Sequence, residues 1–233
     1  MDHPILMSDA LVRATLSGAK TQTRRLITPL PEPPFLPQQS WGPKGLEIAF
    51  GPANRREDGG PRWWRCPFGG VGDRLWVRET WAANVPGCEW QRGLSYRADH
   101  RDPRGDGPAN PMRWRPSIHM PRWASRLTLE ITEVRAQRLQ DITEQDARAE
   151  GLPLNWTDGM PGWTEDAGWL TPAGLANAER GEDCNEGGCI GGARAYVFSA
   201  REALAAWWDH LNGERATWAS NPWVWAITYR VVP

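Results

Sequence analysis

Lysine is almost missing from this chain. Of 27 basic residues only Lys20 and Lys44 are lysines, and the rest are arginine. Cysteine is sparse as well. Cys66, Cys88, Cys184 and Cys189 among 233 residues are too few for a disulfide scaffold at this length, so free thiols in a reducing cytosol are expected. No apolar run approaches the roughly eighteen residues of a membrane-spanning helix, and no membrane partner is expected. The opening Met1-Asp2-His3-Pro4 shows no basic region followed by an apolar stretch, so the expectation is a cytoplasmic protein without a signal peptide.

Charge of one sign is missing too, since the formal net charge is −1. Its distribution is uneven. Between Glu150 and Gly191 there are eight acids and one base, Arg180. Removing these from the totals of 28 and 27 leaves 20 acids against 26 bases elsewhere. A mildly basic body with an acidic excursion suits a nucleic-acid or nucleotide ligand without demanding one.

What the chain has in excess is tryptophan (16), glycine (24) and proline (21), which argues for many turns and long loops. Ser8 to Gly18 reads as a short helix, with Ser8 at the N-cap and Gly18 at its end. Residues 28–60 carry Pro29, Pro31, Pro33, Pro34, Pro37, Pro43 and Pro52, a density that predicts no regular element. After the Gly72-Asp73 turn, Leu75, Val77 and Glu79 alternate with Trp76, Arg78 and Thr80, the period of a strand. Leu94–Ala98 is its expected hairpin partner. Leu127, Leu129 and Ile131 mark the inward face of the clearest strand, with Val134–Leu139 continuing or turning it.

Thr143 caps a short helix closed by Gly151, with acids in its first turn. Residues 152–195, rich in Gly, Trp and Pro, read as an insertion. Ser199 and Glu202 form a capping box opening a helix whose buried stripe is Ala203, Leu204, Trp207, Trp208 and Leu211. Trp223–Val231 is a final strand. There is no βαβ alternation, no internal repeat and no coiled coil. The expected class is α+β and β-rich: a single domain over 1–233, built on a small, partly open β-barrel with short flanking helices and insertions at about 28–60 and 152–195.

The scarce lysine singles out Gly18-Ala19-Lys20-Thr21-Gln22-Thr23-Arg24-Arg25. A lone ammonium, a hydroxyl three residues on and two guanidiniums suit an anionic or carbonyl-bearing ligand. The stretch reads as a loop, and a bend at Thr21-Gln22 is needed for Lys20 and Thr23 to reach one point. Threonine needs a neighbouring base to act as nucleophile, and a lysine whose pKa burial lowers can serve. Arg24 or Arg25 can stabilise an oxyanion. The bland alternative is a salt bridge between Lys20 and a carboxylate, with Thr23 a turn residue.

The order of helix, Gly18-x-Lys20-x-x-Thr23-x-Arg25, Gly-Asp strand, long central strand, short Ala-x-x-Glu-Gly helix and aromatic C-terminal strand resembles the ASCH family. It is especially similar to the longer, tryptophan-rich ASCH-like proteins of phages and prophages. The resemblance spans roughly residues 1–30, 70–150 and 195–233 and implies a PUA-like β-barrel. Some family members are amidohydrolases that remove the acetyl group of N4-acetylcytidine with a lysine, a threonine and a glutamate. The resemblance places these at Lys20, Thr23 and Glu150. Other members are ribonucleases or presumed RNA binders, which keeps open a noncatalytic RNA- or DNA-binding module that recognises a modified base in the barrel cleft, and more weakly a ribonuclease.

A second cluster interleaves cations with aromatics: Arg113, Trp114, Arg115, His119, Arg122 and Trp123 offer stacking faces and phosphate partners. Glu79 and Trp81 are expected to line the same cleft. The expected partner is a modified nucleoside or a single-stranded nucleic acid, with no cofactor and no metal. The spacing Cys184-x4-Cys189 lies outside the strong C-x2-C form, though within the looser range for zinc.

Overall fold

The computed structural model describes residues 1–31, 37–42, 45–50, 62–83, 93–100, 113–152, 169–170, 196–197 and 199–232. The architecture is α+β and β-rich. Its centre is a five-stranded mixed sheet in the order β1-β6-β9-β12-β2, formed by β1 (Asp2–Leu6), β2 (Gln22–Leu26), β6 (Arg74–Arg78), β9 (Thr128–Arg138) and β12 (Trp223–Val232). β1 runs parallel to β6 and every other pairing is antiparallel.

β12 is buried on both faces because its sequence is apolar at both phases of the strand period. Trp223, Trp225, Ile227 and Tyr229 enter the main core with Leu129, Ile131, Val134 and Ala136 of β9. A register shift between Thr228 and Tyr229 skips Thr132 of β9, which lets Leu129 and Ile131 share the core face with Val134 and Ala136. Val224, on the opposite face, meets Leu139 and Trp208. Each of the β12 aromatics Trp223, Trp225 and Tyr229 buries a large apolar area, so β12 is firmly held between β9 and β2. The expected strands around Leu75 and Leu129 and at the C-terminus are all present, and Val134–Leu139 continues β9 as far as Arg138.

Helices pack against both sides of the sheet. α1 (Asp9–Leu16) sends Val12 into the main core, and Gly18, at φ +81°, ends it. α2 (Glu144–Ala149) has Thr143 as N-cap, accepting the amide of Asp146. α3 (Ala200–Asn212) has Ser199 as N-cap, accepting the amide of Glu202. The two are tied together by Glu144, whose carboxylate accepts the amides of Ala200 at 2.8 Å and Arg201 at 3.1 Å and the Ser199 hydroxyl at 2.9 Å. An acid of one helix thus serves the N-terminal donors of the next. Ala203, Leu204 and Trp208 are buried as expected, but Leu211 is exposed and Trp207 only half-buried. The buried stripe ends at Trp208, which packs with Val224 of β12 and Leu139.

Two further expectations are corrected. Residues 28–60 do hold regular structure: β3 (Pro37–Gly42) and β4 (Gly45–Phe50) pair antiparallel, and β5 (Trp63–Arg65) extends them. Pro37 opens β3 and no other proline falls inside β3 or β4, and Ile48 and Trp64 reach the main core. Leu94–Tyr96 (β8) pairs with Trp81–Ala83 (β7) rather than with β6, because β6 already lies between β1 and β9. In the 152–195 stretch Leu152 and Trp169–Leu170 (β10) are described, and β10 pairs with Tyr196–Val197 (β11).

β1 and β2 are the two edges of the main sheet. Arg25, on β2, donates to the carbonyl of Leu6, the last residue of β1, at 2.7 Å. One guanidinium therefore bridges the edges. Among the described residues no helix is long and apolar enough to cross a membrane.

Candidate functional site

The Lys20 stretch is a strand rather than a loop. Lys20 forms an isolated antiparallel bridge with Glu150, and Thr21 donates its amide to Ala149 O. Thr21 O accepts from Tyr229 N of β12. Successive carbonyls of a strand point opposite ways, so Gln22 O faces the free edge of β2. There the Lys20 ammonium caps it at 2.6 Å. The same ammonium donates to Glu150 O at 2.8 Å and to Glu150 Oε2 at 3.0 Å. Its three hydrogens have three acceptors, and the side chain is 1% exposed. Burial lowers the Lys20 pKa, and the Glu150 carboxylate pulls in the opposite direction.

The sheet separates the other members. Gln22 and Arg24 face α2, as their pairing with Thr228 and Ala226 requires. Arg24 donates to Glu150 Oε1 at 2.8 Å and lies 3.5 Å from Asp146 Oδ2. Gln22 Nε2 donates to Asp146 Oδ1 at 2.8 Å. Burial raises the Asp146 pKa, but the bond from Gln22 and the nearby Arg24 and Arg135 outweigh it and hold the group below its usual range. Thr23 and Arg25 face the main core, opposite Ile227 and Trp225. Thr23 is buried, and no hydrogen bond joins its hydroxyl to Lys20 or Glu150 among the described residues. The ammonium nevertheless sits beside the Gln22–Thr23 peptide, so Thr23 is its sequence neighbour at the strand edge without the expected bend.

Arg25 spends Nη2 on Leu6, while its buried Nε has no hydrogen-bond partner among the described residues. Burial lowers its pKa against the pull of Glu150 and Tyr229. Tyr229 completes the core side of the site. Its hydroxyl lies 3.5 Å from Thr15 Oγ1, and burial pushes its pKa up. Gly151 allows the whole approach. Its φ is +64°, and a Cβ there would fall 2.4 Å from Lys20 Cβ.

The structure thus joins Lys20, Glu150 and Arg24 directly and leaves Thr23 and Arg25 on the other face of one strand. Gln22 and Asp146 were missed from the sequence. A signal existed for both: Gln22 shares strand parity with Arg24, and Asp146 precedes Glu150 by one helical turn.

The remaining expected residues lie elsewhere. Glu79 is fully buried and bound by both oxygens to Arg126, at 2.9 and 3.0 Å. Arg126 also holds Asp99 and lies 4.1 Å from the Tyr96 ring centre. Glu79 is therefore committed to an internal ion pair and lines no cleft, and burial pushes its pKa up against Arg126. Trp81 is buried in a satellite core with Leu94, Tyr96, Met120 and Ala124. Arg113, Trp114 and His119, with Arg115 and Pro116, line an open groove of about 420 Å³. Arg122 is outside it, paired with Asp2 at 3.3 Å.

Cys66 is a buried free thiol whose pKa burial raises to about 11. Cys184 and Cys189 lie outside the described residues. Among the described residues no group of three or more His, Cys, Asp or Glu is placed to hold a metal ion. No protein-family model, no curated protein and no solved structure matches the chain.

Proposed function

We propose that the chain is an ASCH-like protein with a partly open, PUA-type barrel, and that its strand-edge site is an amidohydrolase centre for an N4-acylated cytidine. One observation carries the proposal. An ammonium and a carboxylate from segments 130 residues apart meet at 3.0 Å in a dry site, beside the peptide of a threonine. The Arg25 bridge between β1 and β2 supports the barrel.

The chemistry runs through these groups. Burial brings the neutral amine of Lys20 closer to ordinary pH. Substrate binding must first bring the Thr23 hydroxyl from the core face it occupies to that amine, which then accepts its proton as Oγ1 attacks the acyl carbon. Arg25 Nε, a buried donor on the face that Thr23 shares and without a partner among the described residues, stabilises the oxyanion. The proton passes by way of Lys20 and Glu150 to N4 as the C–N bond breaks, releasing cytidine and leaving Thr23 esterified. Water then hydrolyses the ester, returning the acid and the free threonine. Thr23→Ala, Lys20→Ala and Glu150→Gln should each abolish turnover of N4-acetylcytidine in chains that circular dichroism shows to be folded. Wild-type-like turnover in any of the three contradicts the assignment.

A second reading is favoured by the ammonium's three satisfied hydrogens. In it Lys20–Glu150 is a brace, and the protein is a noncatalytic module that recognises a modified base. Salt-dependent oligonucleotide binding without any turnover distinguishes it.

A further inference from the structure

We infer that the segment 113–123, laid along the edge of β7, is a stacking platform for single-stranded RNA, distinct from the Lys20 site. The choice of RNA rests on the cytidine reading above; the platform itself rests on geometry.

The segment is fixed to the body. Trp81 N donates to Arg115 O at 3.2 Å, and Arg115 N donates to Trp81 O at 2.7 Å. From this anchor, cations pack against rings, of which Trp81 is buried and Trp123 is exposed. The Arg115 guanidinium stands 5.0 Å from the Trp81 ring centre, and Trp123 meets Trp81 edge-on at 5.9 Å. On the far side Arg122 lies 5.9 Å from the Trp76 ring. The row presents a large apolar ring to water, because Trp123 is 60% exposed. A large aromatic ring this exposed offers a surface on which a base can stack. At the other end the groove beneath Trp114 has a volume in the range of small-ligand pockets.

Charge points the same way. Arg113 and Arg115 are exposed and make no ion pair among the described residues, and Arg122 is held only by a half-exposed Asp2. A surface with unneutralised guanidiniums between aromatic faces matches the alternation of phosphate and base along a single strand. A protein partner would meet the same rings, but these guanidiniums would then need acidic side chains at nucleotide-like spacing. An RNA backbone supplies a phosphate at every step.

The test is fluorescence anisotropy of a 5′-labelled, unmodified, cytidine-rich RNA 12-mer with the full chain across a salt series. Binding should weaken with salt at a log–log slope of about −2, from three guanidiniums at roughly −0.7 each. Trp123→Ala should weaken binding about tenfold or more. Arg113→Gln with Arg115→Gln should reduce the slope by about 1.4. Absence of binding, a salt-independent Kd, or unchanged affinity in Trp123→Ala overturns the platform. Equal or tighter binding of the DNA strand of the same sequence overturns the assignment to RNA. Hydrolysis of free N4-acetylcytidine by the wild type is measured separately. A chain that hydrolyses the nucleoside but ignores the RNA loses the platform alone, and one that binds the RNA without hydrolysis loses the amidohydrolase alone.

Discussion

The Lys20 ammonium and the Glu150 carboxylate lie 3.0 Å apart, and the same ammonium holds the Glu150 main-chain carbonyl at 2.8 Å. The contact fastens edge strand β2 to the end of α2. The carboxylate has a second cation, Arg24, at 2.8 Å. The two partners are therefore not equivalent. Removing Lys20 leaves Glu150 paired, whereas removing Glu150 leaves two cations buried together. Breaking a buried pair costs about 3–5 kcal/mol, so Lys20→Met should fall near the lower end and Glu150→Leu near the upper. Urea denaturation midpoints check the order, and equal losses would contradict the shared-carboxylate geometry.

Gly151 is predicted to tolerate no side chain. Two independent costs meet there, the left-handed φ and a Cβ placed 2.4 Å from Lys20 Cβ and 2.9 Å from Lys20 Cα. Backbone strain alone costs on the order of 1 kcal/mol, and the clash pushes Lys20 off its three acceptors. Gly151→Ala should lower the thermal midpoint and shift any Lys20-dependent pH profile. Gly18, also at positive φ but with open space around it, should cost stability alone.

The sign of the Lys20 shift makes a pH prediction. Its folded pKa is below its unfolded value of 10.5. Between the two the unfolded chain holds a proton that the folded chain has released, so stability rises with pH through that window. Activity follows the free amine, so kcat/KM for N4-acetylcytidine should rise with pH through an apparent pKa below 10.5. Thr23→Ser, if active, should keep that pKa. A rate that falls over this range would place the amine in the wrong protonation state for a base.

Glu144 governs acid stability at the α2–α3 junction. Burial raises its pKa, but the amides of Ala200 and Arg201 and the Ser199 hydroxyl outweigh that and hold it below 4.5. Its contribution is present above pH 4.5 and is lost as pH falls through the folded pKa. Glu144→Gln removes the charge from three hydrogen bonds at a helix start and should cost about 1 kcal/mol at neutral pH. In the variant the acid-induced loss of stability should be shallower.

Long strands and caps were legible because local chemistry determines them. Thr143 and Ser199 make the capping bonds their positions imply, and Trp223, Trp225 and Ile227 alternate into the core as the strand period requires. Lys20 stood out because composition does not explain a lysine here, and its pairing with Glu150 followed from a resemblance rather than from pattern. Illegible features were those set by long-range partners. Nothing local tells that β6 is sandwiched and leaves Leu94–Tyr96 for Trp81–Ala83. Glu79 looked like a ligand residue until Arg126 lay opposite it, and Arg25 carries a structural bond that sequence did not announce, from Nη2 to Leu6 O across the sheet edges. Proline density was misread because position, not number, decides whether a strand survives.

The most direct measurement is release of acetate from N4-acetylcytidine by the purified wild-type chain beside Thr23→Ala, Lys20→Ala and Glu150→Gln, each first shown to be folded. The account predicts steady turnover in the wild type and none in the three variants. No turnover by the folded wild type, or turnover that survives any of the substitutions, would contradict it.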